Sequence, residues 1–256
     1  MSIAEVLLLN AALITASMVL LWLLSLGLKD ASIVDIFWGL GFVLIACATF
    51  AVVPIGPRGG ILTALTTVWG LRLAGYIGWR NHGKGEDSRY RAMRDYRGKN
   101  FWWFSLISVF ALQGVVMWLV SLPIQIGQVA ESSMGILNFA GVGIWLIGFL
   151  FESVGDYQLA KFKSMPDSRG KVMDRGLWRF TRHPNYFGNA MIWWGLFFVA
   201  ATWSTAWLVI SPIFMTFLLV KVSGVALLER NLAGRSEEYR DYIKRTSAFI
   251  PWPTKP

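Results

Sequence analysis

The chain has 256 residues, of which 55% are hydrophobic and 15% charged, and its mean hydropathy is +0.51. A soluble domain carries a charged share nearer a quarter, so the composition excludes one and points to an all-α, polytopic membrane helix bundle. The formal charge of +9 does not imply nucleic acid, because Lys and Arg gather in three short segments, 80–99, 161–182 and 230–255, the pattern of membrane topology.

A helical span needs about 20 mostly apolar residues. Seven segments qualify in chain order, 6–28, 33–53, 61–79, 104–126, 136–154, 186–201 and 208–228, the sixth being the shortest. The first has no positive stretch before it and no small-residue cleavage site, so it is expected to remain as a span rather than act as a signal peptide. With the N-terminus outside, seven spans put all three basic segments and the C-terminus on the cytoplasmic side, leaving Arg58 as the only basic residue in an outer loop. The outer loops, 54–60, 127–135 and 202–205, are short, and no stretch forms a separate soluble domain or a repeat. A single integral membrane domain over 1–256 is expected, working on its cytoplasmic side.

Residues 236–245 set Tyr239, Tyr242 and Ile243 at helical spacing among charges, an amphipathic helix for the membrane surface or the cytoplasmic mouth. Trp102, Trp103, Trp178, Trp194 and Trp203 fall near span ends, as an interfacial belt does. Gly141 and Gly148, about two turns apart, fit close helix packing. Cys47, the only cysteine, reads as a small core side chain.

Ionisable residues inside spans are the exceptions that matter, since each costs about 2.5 to 3.5 kcal/mol near the bilayer centre. They are Asp35, Arg72, Glu152, Asp156 and Lys221, all toward the cytoplasmic ends of their spans. They form either a polar chamber open to the cytosol or helix-locking salt bridges such as Arg72 with Glu152. Glu152, Asp156 and Lys163 lie close to one helix face, at i, i+4 and i+11. His82 and His183 are too few for a di-iron centre, and no cysteine cluster exists for zinc, so no metal site is expected. His183, just before Pro184, fits a helix start. No Gly-x-Gly-x-x-Gly stretch marks a Rossmann nucleotide site.

Two C-terminal blocks set polar chemistry against spans. They are Gly176-Leu177-Trp178-Arg179-Phe180-Thr181-Arg182-His183-Pro184-Asn185-Tyr186-Phe187-Gly188, and Glu238-Tyr239-Arg240-Asp241-Tyr242 followed by Arg245-Thr246-Ser247-Ala248-Phe249-Ile250-Pro251. Over 150–253 the chain resembles the C-terminal domain of the steroid 5-alpha-reductase-like membrane proteins, including a bacterial branch known as a domain of unknown function. The resemblance implies a bacterial inner-membrane enzyme with a cytoplasmic NADPH site in 131–256, 1–130 forming the substrate side. Residue by residue it puts Asp156 and Asn185 where the family has cofactor-contacting Asp and Asn, and Lys163 where it has a basic residue. Glu152 replaces an Asn, Asn189 replaces a Glu, and Arg72 matches a cofactor-facing Arg. The C-terminal blocks add Arg182, His183, Tyr186, Tyr239 and Tyr242 to the implied cofactor site. The family's span-three Tyr is matched by Trp69, which has no phenolic proton to give; the proton would come from Asp35, Tyr76 or ordered water, with a hydride going to the electrophilic carbon of a conjugated carbonyl.

The resemblance therefore implies an NADPH-dependent reductase of a hydrophobic, steroid-, isoprenoid- or lipid-like substrate, in contact with membrane lipids and of open oligomeric state. An Arg-His-Pro-x-Tyr-x-Gly block also occurs in isoprenylcysteine and phospholipid methyltransferases, so a methyltransferase using S-adenosylmethionine is the alternative, and a non-enzymatic lipid-binding protein the third. The abundance of cations favours NADPH over the near-neutral S-adenosylmethionine.

Overall fold

The computed structural model describes residues 1–54, 56–130, 133–168, 170–222 and 237–254. Among them there is no β-strand, only an isolated parallel bridge between Thr181 and Ser247. Five helical stretches are long and apolar enough to cross a membrane, with a shorter apolar one over Ala206–Val222, so the protein is a polytopic membrane helix bundle. It divides into two compact units, 1–134 with 199–206, and 135–198 with 207–256.

The first unit opens with α1 (Ile3–Leu28), whose N-cap Ser2 accepts from the Glu5 N–H while Glu5 reaches back to the Ser2 N–H. Next come α2 (Ile33–Val52) and α3 (Pro57–Asn81). These two touch backbone to backbone: a Cβ added at Gly70 would lie 2.6 Å from the Gly39 carbonyl oxygen. Arg58 sits buried in the first turn of α3 rather than in an outer loop, donating to the carbonyls of Ala130 (3.0 Å) and Ser133 (3.2 Å). A polar helix, α4 (Ser88–Arg97), precedes a run of α5 (Phe101–Ser105), a π-helical turn (Leu106–Ala111), α6 (Leu112–Val120) and α7 (Leu122–Val129). The span expected over 104–126 is thus broken at Ser121, just before Pro123, whose ring and missing N–H interrupt the helix. Cys47 is exposed and so faces the bilayer rather than the core; an apolar run carries no phase that separates lipid-facing from core-facing positions.

In the second unit, α8 (Ile136–Ser164) runs ten residues beyond the expected span, carrying its polar C-terminal turns out of the apolar region. Then come 3-10 turns over Pro166–Ser168 and Gly176–Arg179, and α9 (Pro184–Ala200), whose first residue Pro184 needs no N–H partner. A 3-10 turn (Ala206–Val209), α10 (Ile210–Phe217) and a π-helical stretch (Leu218–Val222) form the seventh apolar segment; the part expected over 223–228 lies outside the described residues. Lys221 is exposed there. The tail helix, α11 (Glu237–Arg245), is amphipathic as its spacing predicts. Trp178 does not join the interfacial belt: it is buried, and its indole N–H donates to the Gly155 carbonyl at 3.0 Å. Trp102, Trp103 and Trp203 are exposed.

Candidate functional site

In the second unit the site is built on a glycine seam. Gly195 meets Trp145, and Gly188 meets Gly148 and the Glu152 backbone, so closely that a Cβ at Gly195 would lie 2.6 Å from the Trp145 nitrogen. Gly141 and Gly148 therefore do serve helix packing. The four-residue spacing of Glu152 and Asp156 on α8 matches that of Asn185 and Asn189 on the antiparallel α9, and the seam brings them into register. Asn185 Nδ2 donates to Asp156 Oδ1 at 3.1 Å, and Asn189 Nδ2 lies 3.4 and 3.5 Å from the two Glu152 oxygens. Glu152, Asp156 and Asn189 are buried. Asn189 Oδ1 is a buried acceptor with no hydrogen-bond partner among the described residues.

The resemblance gives Glu152 and Asn189 as departures from the family pattern on this face, and the two side chains pair with each other. The departures amount to one reciprocal exchange, carboxylate for amide on α8 and amide for carboxylate on α9, which keeps a mixed carboxylate–amide rung. Sequence reading treated them separately because they stand 37 residues apart.

The Arg-His-Pro block is held by the segment after α11. Arg182 N–H donates to the Ser247 carbonyl (2.9 Å) and its guanidinium to the carbonyls of Ile243 (2.9 Å) and Thr246. His183 is buried and its Nδ1 lies 3.0 Å from the Ala248 carbonyl; a carbonyl only accepts, so Nδ1 carries the proton. Its ring stacks on Tyr186 at 5.6 Å. The buried Tyr242 donates its phenol to the Trp178 carbonyl, and burial raises that phenol above its ordinary range, which keeps it a donor. Tyr239 packs against Tyr242 at 5.9 Å. Arg182, His183 and Tyr242 thus position the block, whereas Lys163 extends exposed beyond Asp156.

In the first unit, Arg72 and Arg80 flank the ring of Tyr76 at 5.3 and 5.7 Å, which brings two of the expected site residues together. Asp35 accepts from Arg89 (2.7 Å) and from the phenol of Tyr90 (2.6 Å), which itself accepts from Gln113 (3.2 Å). Sequence reading missed Arg89, Tyr90 and Gln113; its one available signal was Asp87, which caps α4 by accepting from Arg89 N–H at 3.0 Å.

Beside this network the loop before α4 is pinned by Glu86. Burial alone would raise its carboxyl, but the Arg94 fork (2.9 and 2.7 Å) and the Ala31 N–H (2.9 Å) outweigh burial and hold it below the usual range. A depressed folded value contributes stability that is present above the unfolded value and is lost as pH falls through the folded one. Melting scans from about pH 6 down to about pH 3, through and below the ordinary Glu value, should show the wild type losing this contribution. Glu86→Gln should start lower and lose less, and an identical acid slope in both would contradict this account.

A family model described as a protein of unknown function, DUF1295, matches residues 21–246. The 3-oxo-5-alpha-steroid 4-dehydrogenase 1 of Rattus norvegicus is 25% identical over 112 residues, 44% of this chain and 40% of that protein. The Homo sapiens protein of the same name is 29% identical over 111 residues, 43% of this chain and 37% of its own length. An uncharacterized protein of Schizosaccharomyces pombe is 23% identical over 278 aligned positions, covering 90% of this chain and 75% of the yeast protein. The matches to the steroid dehydrogenases thus span about two fifths of their length. No solved structure matches the chain.

Proposed function

We propose, from the premise that this chain belongs to the DUF1295 family, that it is a membrane reductase using NADPH to reduce an activated double bond in a hydrophobic carbonyl compound. The likeness to the 3-oxo-5-alpha-steroid 4-dehydrogenases supports the reaction class. The observation that carries the cofactor is the buried α8–α9 ladder, which lines up two carboxylates and two amides and leaves Asn189 Oδ1 open to a donor.

The residues present fit the group. Asp156 and Asn185 have the donors and acceptors for ribose hydroxyls, Asn189 Oδ1 would accept from a carboxamide, and the exposed Lys163 offers charge to phosphate. Bound NADPH would supply the hydride. The accompanying proton would come from Asp35, Tyr76 or ordered water. The basic segments support a cytoplasmic C-terminal end of α8, with the N-terminus outside.

The test is thermal stabilisation of the detergent-solubilised protein by NADPH, NADH and S-adenosylmethionine. A ligand at 100 times its dissociation constant adds about 2.7 kcal/mol. NADPH should stabilise most, and its lead over NADH should shrink as salt screens the contacts to its extra phosphate. Asp156→Asn should keep the fold, since its amide oxygen still accepts from Asn185, while weakening NADPH binding about tenfold or more, as losing a charge-assisted hydrogen bond does. Asp167→Asn, in the exposed turn after α8, should leave binding unchanged. Equal affinity for both dinucleotides at low salt, or a larger shift with S-adenosylmethionine, would sink the reading.

A further inference from the structure

A second polar feature lies away from the ladder. The 3-10 turn Gly176–Arg179 and the chain just after α11 enclose a cleft of about 400 Å3, lined by Asp174, Arg175, Gly176, Arg179, Arg245 and Thr246 among others. Three guanidiniums face one carboxylate. Asp174 is already engaged with Arg245 at 2.6 Å, and the guanidiniums of Arg175 and Arg179 have no hydrogen-bond or ion-pair partner among the described residues. The net excess is two cations on one small cavity.

The wall that carries them is fixed before any ligand arrives. Gly176 adopts a φ of +60°, which a side chain would strain, and a Cβ there would collide with Gln158. Gln158 Oε1 accepts from the Leu177 N–H at 3.0 Å, the buried Trp178 donates to the Gly155 carbonyl, and Tyr242 donates to the Trp178 carbonyl. Opposite, Thr246 is buried and its carbonyl accepts from Arg182. A wall fixed in this way spares an anion the cost of ordering the backbone that carries its cations. Planar guanidiniums match the oxygens of phosphate in particular.

The surroundings point to the membrane surface. Phe180, Ile250 and Trp252 are all exposed, and the Trp252 N–H donates to the Phe180 carbonyl at 3.0 Å, which sets apolar and aromatic side chains beside the basic turn. Exposed aromatics next to Arg are the composition of the headgroup layer. We infer that this cleft is a phosphate-binding site, distinct from the proposed cofactor ladder, whose ligand is a phosphate-bearing lipid headgroup or a soluble phosphate. The inference does not rest on NADPH.

The experiment uses the full-length protein, delipidated in neutral detergent, as wild type, as Arg175→Ala/Arg179→Ala, and as Lys84→Ala/Lys171→Ala. The last removes equal charge from exposed sites elsewhere. Each is melted with phosphatidylglycerol against a phosphatidylcholine baseline, and with inorganic phosphate against chloride at constant ionic strength. Circular dichroism checks that all three are folded. Wild type and the lysine variant should be stabilised by at least one probe, with apparent affinity in the arginine variant about tenfold weaker or worse. Loss confined to the phosphatidylglycerol arm identifies a lipid headgroup, and loss in the phosphate arm identifies a soluble phosphate. An arginine variant that responds as the lysine variant does, or a wild type that responds to neither probe, overturns the inference.

Discussion

Asn189→Glu should destabilise the solubilised protein by about 3 kcal/mol or more, the range in which a buried charge without a partner falls. The substitution turns the rung with Glu152 from carboxylate–amide into carboxylate–carboxylate, away from water. Adding Glu152→Asn should recover most of the loss, because the pair then holds the opposite arrangement of the same two groups. Glu152→Asn alone should cost less than Asn189→Glu alone, since it leaves two amides able to bond each other. A double-mutant cycle in chemical or thermal melts measures the coupling. Additive losses in the double variant would break the link between the two positions.

Gly188→Ala should cost about 3 kcal/mol, the upper end of overpacking, because the added methyl meets backbone rather than a side chain that could turn away. Its Cβ would fall on the Glu152 nitrogen and the Gly148 carbonyl, so α8 and α9 must part, and both rungs lengthen together. Gly143→Ala, on the same α8 but with nothing within 4 Å, should be neutral or mildly stabilising through better helix propensity. If both variants melt with the wild type, the seam does not set the register of the ladder.

What was legible in the sequence follows from the range over which each signal acts. Spans such as 33–53, which the structure gives as Ile33–Val52, need only a local run of apolar residues. The α8 end was legible too, because Glu152 and Asp156 lie one turn apart on one helix. Which face of a uniformly apolar run meets lipid was not, as Cys47 shows. The helix α4 was missed because Tyr90 is its only buried residue, so it carries no apolar stripe to mark it. Asp35 was singled out, but its partners Arg89 and Tyr90 lie 54 and 55 residues away, and no spacing rule reaches across an intervening helix and loop. The partners of Arg182 were hidden for a similar reason: the carbonyls that accept from it come from residues 243 and 246.

That last arrangement sets an order in time. His183 is bound to a carbonyl 65 residues further on, and Phe180 and Arg182 are likewise bound to Trp252 and Ser247. Synthesis proceeds at about 5 to 20 residues per second, so several seconds pass between the making of the His-Pro-Asn-Tyr turn and the arrival of the chain that secures it. During that interval α9 is able to enter the bilayer, since its apolar run is complete, while the turn before it waits with its polar groups in water. Assembly of this half of the protein is therefore a late event, and a ribosome stalled before residue 246 should display an inserted but unfinished site, open to protease at residues 181–183, which the finished protein buries.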